Sequence, residues 1–451
     1  MTTLLLELPT ELLLGITERL PFEAIKSLSI VNWQLHRTLS PDLFRCVRFT
    51  NRREDCDIIS TVVEKYGRKV EKLAFELHFI PGQEDDDHDD LWPPGRTSER
   101  YPPARSITAQ AQQLLDGSIL PHVSRLRVAF FIGDFGHEVF GGKANPVYKR
   151  LEPSSETRAE EQLWPWRATL NQAFGALATR KGLRTLELHD LIPRDCSTFH
   201  TLKWWKLVSH LEEVEIHLWT GHNIDIGRQS SVRGGYSDFL DIVGLNFFVD
   251  GDSMTRVKLV ADISGPIGGS GRVRRLNPFQ YVSMPKLLHL ELENCLIDKA
   301  LCRFLGDHSQ QLKVLRLKSC FAGRPLLHLP YYTWELFFYH FLIRRPVLEE
   351  LTVTTDNATV TESEEAHSDD QGPAILVSGQ ESEDVKDIRR QLLDDPNRRL
   401  WVYAKLDPDS GVIVHDLAEI VTNNKMGQDQ DKYDELMVLV RQNREGSGNG
   451  A

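Results

Sequence analysis

The sequence predicts an α/β fold in which three short helices precede a long, curved parallel sheet with return helices. Three observations predict it. Apolar residues recur at helical spacing between Leu8 and Leu39, an apolar spacing typical of short buried strands recurs eight times between Val70 and Val353, and glycine-, proline- or acid-rich stretches separate the recurrences.

The helices come first. Leu8, Leu12, Leu13, Ile16 and Leu20 fall on one face of a helix that Pro9 can open, because proline at the first helical position sacrifices only an amide that would be unpaired anyway. Pro21 punctuates the chain. A second stripe at Ile25, Leu28 and Val31 and a third at Leu35 and Leu39, with Pro41 behind it, predict two more short helices. A segment of about 40 residues lies below the size at which domains usually stand alone, so these apolar faces need a partner surface.

The matching residues are Leu8-Pro9, Glu11-Leu12-Leu13, Ile16, Leu20, the Leu28 and Val31 pair, Trp33 within a Val-x-x-x-Leu spacing, and Pro41, Leu43 and Phe44. In this pattern residues 1–50 resemble the F-box, the helical module that docks on a Skp-type adaptor. Asn32 stands where that family often has a cysteine. The resemblance implies that Leu8, Pro9, Leu12, Ile16, Leu20, Leu28 and Val31 bury against the adaptor, and that cullin and RING subunits of a ubiquitin ligase follow through it. An ordinary helical cap on a larger domain is the plainer reading of the same stripes.

From residue 68 onward the spacing apolar-x-x-apolar-x-apolar recurs. It begins at Val70, Val123, Leu183, Leu211, Met254, Leu287, Leu312 and Leu348. This is the strand signature of a leucine-rich repeat, in which each unit supplies one parallel strand and neighbours stack to bury its inner face. Leu287-x-x-Leu-x-Leu-x-x-Cys295 and Leu312-x-x-Leu-x-Leu-x-x-Cys320 carry a fuller form and start 25 residues apart, whereas Val123 and Leu183 are 60 apart, so the array is irregular. The pattern resembles F-box proteins whose remainder is a leucine-rich-repeat horseshoe. A non-repeating α/β domain with similar buried strands stays open beside it.

Within an irregular repeat domain over residues 51–356, residues 81–106, 133–160 and 264–275 read as inserted loops. Residues 357–384 read as a disordered acidic linker, too poor in apolar surface to offset ordering entropy. Residues 385–451 form a cap or tail, with a helix over Val385 to Leu393, a hairpin from Arg399–Leu406 and Gly411–His415, and an amphipathic stretch at Tyr433 to Val440. Trp204-Trp205 and the aromatic run from Tyr331 to Phe341 fit return helices.

Composition excludes several functions. A net charge of -12 argues against nucleic acid or an anionic membrane as partner, because both attract positive fields. No apolar run approaches the ~18 residues of a membrane span. Glu7, Glu11 and Glu18 interrupt the leucine-rich start, which lacks a basic leader, so the expectation is an intracellular protein of the cytoplasm or nucleus. Six scattered cysteines without a C-x-x-C pair suggest reduced, mostly buried thiols.

No catalytic motif emerges. Gly265 to Gly271 lacks the lysine and hydroxyl of a phosphate loop, Glu84 to Asp90 lacks the glycine turn and distal glutamate of a calcium loop, and no histidine spacing suggests a metal. The expectation is a non-catalytic protein without cofactor or metal.

What remains is a binding surface. Strand alternation turns the neighbours of the buried residues outward. The rows are Thr185, Glu187 and His189, then Glu213, Glu215 and His217, then Arg256, Lys258 and Val260. His289, Glu291 and Glu293 follow, then Val314, Arg316 and Lys318, and last Glu350, Thr352 and Thr354. The candidates for gripping a target protein are Glu187, His189, Glu215, His217, Arg256, Lys258, Glu291, Glu293, Arg316 and Lys318. Equally, rows of opposite sign can simply neutralise one another across strands. Two other classes stay open: an adaptor-bound scaffold outside a ligase, and an enzyme on an α/β scaffold, which would need a convergent polar pocket.

Overall fold

The structure, a computed structural model, describes residues 8, 10–17, 19–20, 22–52, 54–79, 107–131, 154–219, 234–261, 266–268, 278–280, 282–324, 331–355, 383–395, 397–406 and 413–448. Its centre is a nine-stranded parallel sheet. The strands are β1 (Cys46–Thr50), β2 (Lys72–His78), β3 (Arg125–Phe131), β4 (Thr185–Leu191), β5 (Glu213–Leu218), β6 (Arg256–Val260), β7 (His289–Glu293), β8 (Val314–Lys318) and β10 (Glu350–Thr354), adjacent in that order. Each of the eight recurrences supplies one strand. β1 is an addition, since Val47 and Phe49 lie within the stretch read as the helical module and pair in register with Leu73 and Phe75.

Alternation does what it predicts. The inward residues, such as Leu186 and Leu188 on β4 or Leu290 and Leu292 on β7, are fully buried in one core that continues across the sheet. Helices cover that face. Those at Leu202–Val208, Lys299–Asp307 and Trp334–Leu342 each open on a side-chain cap, from Thr201, Asp298 and Thr333, which accepts a backbone N–H three residues on. Trp204 is buried among Phe174, Phe199 and Phe247, and its Nε1 donates to the Asn246 carbonyl at 2.7 Å, while Trp205 stays partly exposed. Three strands carry a left-handed residue at the same register position, Asp190 near the end of β4 and Asn294 and Ser319 just after β7 and β8 (φ 55°, 56° and 48°).

The amino-terminal helices are shorter than their stripes suggest. The first spans Thr10–Thr17, leaving Leu20 beyond its end, and the second spans Phe22–Ser29, leaving Val31 in the following turn. The third, Trp33–Leu43, runs through Pro41 rather than stopping before it, and Asn32 is its cap, accepting from Leu35 N at 2.8 Å. That last-turn proline forfeits a single amide bond.

Four further expectations need correction. The loop read over 133–160 ends earlier, because a helix covers Ser154–Leu163, whose polar residues hide a buried Thr157 and Glu161. Within 264–275, Ile267 is buried and bridges to Cys295, so at least this residue belongs to the sheet's margin. Cys46 is exposed on β1, whereas Cys196, Cys295 and Cys320 are buried. Residues 81–106 and 356–382 lie outside the described residues, but Glu383 and Asp384 open a helix ending at Asp394 rather than closing a linker.

The carboxy-terminal residues pack against the last strand. β11 (Tyr403–Leu406) pairs antiparallel with β12 (Ile413–His415) and parallel with β9 (Ala322–Arg324). At Gly323 (φ 132°) a Cβ would stand 2.2 Å from the Ala404 carbonyl oxygen, so only glycine fits that pairing. Helices follow at Leu417–Met426, which no stripe announced, and at Gln428–Gly448. Arg399 donates to the Val353 carbonyl of β10 at 2.6 Å, and Asn443 donates to the Pro346 and Leu348 carbonyls. Among the described residues, no helix is long and apolar enough to cross a membrane.

Candidate functional site

Two surfaces stand out. The first lies on the amino-terminal helices, whose own core consists of Leu13, Leu35 and Leu39 with Ile25 and Leu28 packed against it. Leu28, a candidate adaptor contact, is thus partly spent inside the module. Leu8 and Leu20 are half-buried, Pro9 lies outside the described residues, and Leu12, Ile16 and Val31 are exposed. The most exposed apolar side chains here are two the candidate set lacks, Ile30 (81%) and Trp33 (73%). They follow from where the second helix stops: Ile30 and Val31 form the turn, and the Asn32 cap starts the next helix at Trp33. Trp33 was visible in the motif, whereas Ile30 carried no periodic signal.

A narrow joint ties this module to the sheet region. Phe44 stacks on Tyr66 at 3.9 Å, and the Arg45 carbonyl accepts the amides of Glu71 and Lys72.

The second surface is the outward face of the sheet. Register places Glu187 beside Glu215, Glu215 beside Lys258, Lys258 beside Glu291, and Glu291 beside Arg316. All ten candidate target-binding residues therefore share one face, as do Lys72, Glu76, Arg125 and Arg127 of β2 and β3, which the rows omitted although the same alternation applies to them. A depression of about 310 Å³ crosses β3 to β8 there, with Glu187, Glu215, Arg256, Lys258, His289 and Arg316 among its walls.

Opposite charges on this face do pair. Lys258 bridges Glu215 (3.1 Å) and Glu291 (3.4 Å), Arg316 reaches Glu350 (2.7 Å), Lys318 reaches Glu293 (2.7 Å), and Lys72 spans β3 to reach Glu187 (2.8 Å). Exposed pairs of this kind contribute roughly 0.2–1 kcal/mol each, so their weight lies in specificity more than stability.

Electrostatics is sharpest where β4 meets β5. The hydrogen bond from His217 holds the Glu215 carboxyl down at about 2 against the opposing effect of burial, with Lys258 adding to it. Burial, aided by His217 and Arg127, pushes His189 down to about 4. Burial also lowers His289, with Arg256 and Arg316 adding to the effect. For Lys258, burial works downward, but the hydrogen bond and charge of Glu215 prevail and leave it raised. His189, Glu215 and His217 converge closely enough to be considered as metal ligands. Spacing along the chain did not disclose them.

No protein-family model and no curated protein matches this sequence.

Proposed function

We propose that the chain is the substrate-recognition subunit of a Skp–cullin–F-box type ubiquitin ligase and makes or breaks no covalent bond itself. The observation that carries the reading is the apolar surface of Leu12, Ile16, Ile30, Val31 and Trp33 on a helical module whose buried apolar side chains, among the described residues, are Leu13, Leu35 and Leu39. Such a surface on a small module suits a docking site, and the sequence pattern around it resembles the F-box. The leucine-rich-repeat half of the reading draws support from nine parallel strands in chain order and from the left-handed residue repeated at one register position, Asp190, Asn294 and Ser319. In this reading the charged sheet face holds a target protein, and ubiquitin transfer by separate catalytic subunits is raised by effective concentration.

Affinity capture tests it, with wild type beside a Leu12→Glu/Val31→Glu variant. Both positions are exposed, so melting temperature should be unchanged. The expected result is recovery of a Skp-type adaptor and cullin with wild type alone. Adaptor without cullin would place the protein outside a ligase, and equal recovery by both forms would overturn the docking surface.

A further inference from the structure

At one end of the sheet face, β4 and β5 bring three ligand-type side chains together. One ligand atom from each of His189, Glu215 and His217 lies within 4.8 Å of the other two. The imidazoles stack with centroids 4.3 Å apart, and Glu215 Oε1 accepts from His217 Nε2 at 2.6 Å. His189 lies in the stretch between Leu188 and Leu191 where the pairing of β4 with β5 shifts register, and Asp190 takes a left-handed conformation. An irregularity of this kind re-aims the side chain next to it.

His189 is the informative member. Its Nε2 is buried without a hydrogen-bond partner, and leaving a buried polar atom so is costly. Arg127 Nη2 lies 3.4 Å from its Nδ1, and Glu187 Oε2 lies 3.9 Å from its Nε2.

We propose that His189, Glu215 and His217 bind one late first-row divalent cation of the zinc class. Two imidazoles and one carboxylate are a donor set such cations favour, whereas calcium and magnesium require oxygen ligands throughout. Lys258 competes for Glu215, yet it already contacts Glu291 at 3.4 Å and can remain paired there when a cation takes Glu215. Three protein ligands leave a fourth position facing outward, open to water or to a donor on a protein lying across the sheet.

The test is a calorimetric titration of Zn²⁺ into the tag-free full chain, with the visible absorption of Co²⁺ as a second readout. Wild type takes up one saturable equivalent. The His189→Ala/His217→Ala variant loses it, Glu215→Gln weakens it by about tenfold or more, and His289→Ala, on the same face, keeps it. Far-ultraviolet circular dichroism confirms that each variant folds. Uptake of the same equivalent by the double variant, or no saturable uptake by wild type, overturns the site.

Discussion

Among the described residues of the three amino-terminal helices only Leu13, Leu35 and Leu39 are buried apolar side chains, whereas the sheet and its helices share one core that runs from Val47 to Val440. The outward faces differ as sharply. Leu12, Ile30, Val31 and Trp33 turn apolar surface to solvent on the helices, while the sheet turns outward charges that answer one another across strands. The contrast separates two kinds of recognition surface. One gains free energy by being covered, and the other is largely paired within itself and discriminates by exchanging its charged partners.

The sharpest way to break this comparison is to damage each core in turn. Trp204→Ala removes a side chain in contact with four aromatic or backbone neighbours and is expected to cost about 3–5 kcal/mol in urea unfolding. Leu39→Ala in the small helical core is expected to cost about 2–3 kcal/mol, with hydrogen exchange accelerated over residues 10–43 and unchanged in the sheet. Equal acceleration in both regions would show that they unfold as one unit.

A smaller effect concerns pH. Burial alone lowers His415 on β12, in contrast to the paired charges of the sheet face. A histidine whose folded pKa is depressed stabilises the protein fully above its unfolded value of about 6.5, and that contribution is lost as pH falls toward the folded value. The melting temperature should decline as pH drops below about 6.5, and His415→Gln should flatten the decline. Burial raises Asp429, which works in the opposite direction at lower pH, so the His415 effect belongs to the upper part of the acid range. Smallest of all, Lys318→Met should cost no more than about 1 kcal/mol, a difference that shrinks in high salt.

Much of the sheet was legible because an inward strand facing a helix layer needs apolar residues at fixed offsets. The same rule contained the ninth strand: Phe44-x-x-Val47-x-Phe49 repeats the spacing of Val70, Leu73 and Phe75, but Phe44 had been claimed by the helical motif. The pairing of residues 322–324 with 403–405 left no such trace, since short strands joined through backbone and glycine have no apolar signature. For the sites, alternation placed His189 and His217 in adjacent rows. Their meeting with Glu215 depends on register between strands 28 residues apart in sequence, which a search for motifs along the chain does not sample.

Apart from the step from β8 to β10, every strand of the large sheet is bonded to the one made just before it. A nascent chain can therefore lay down finished layers while its remainder is still inside the ribosome, since no early layer waits for a late one. The growing rim during synthesis is always the newest strand. The last rim closes only when Arg399 and Asn443 have emerged, which makes the final fifty or so residues the seal on assembly and a message truncated before them a source of sticky, half-finished product.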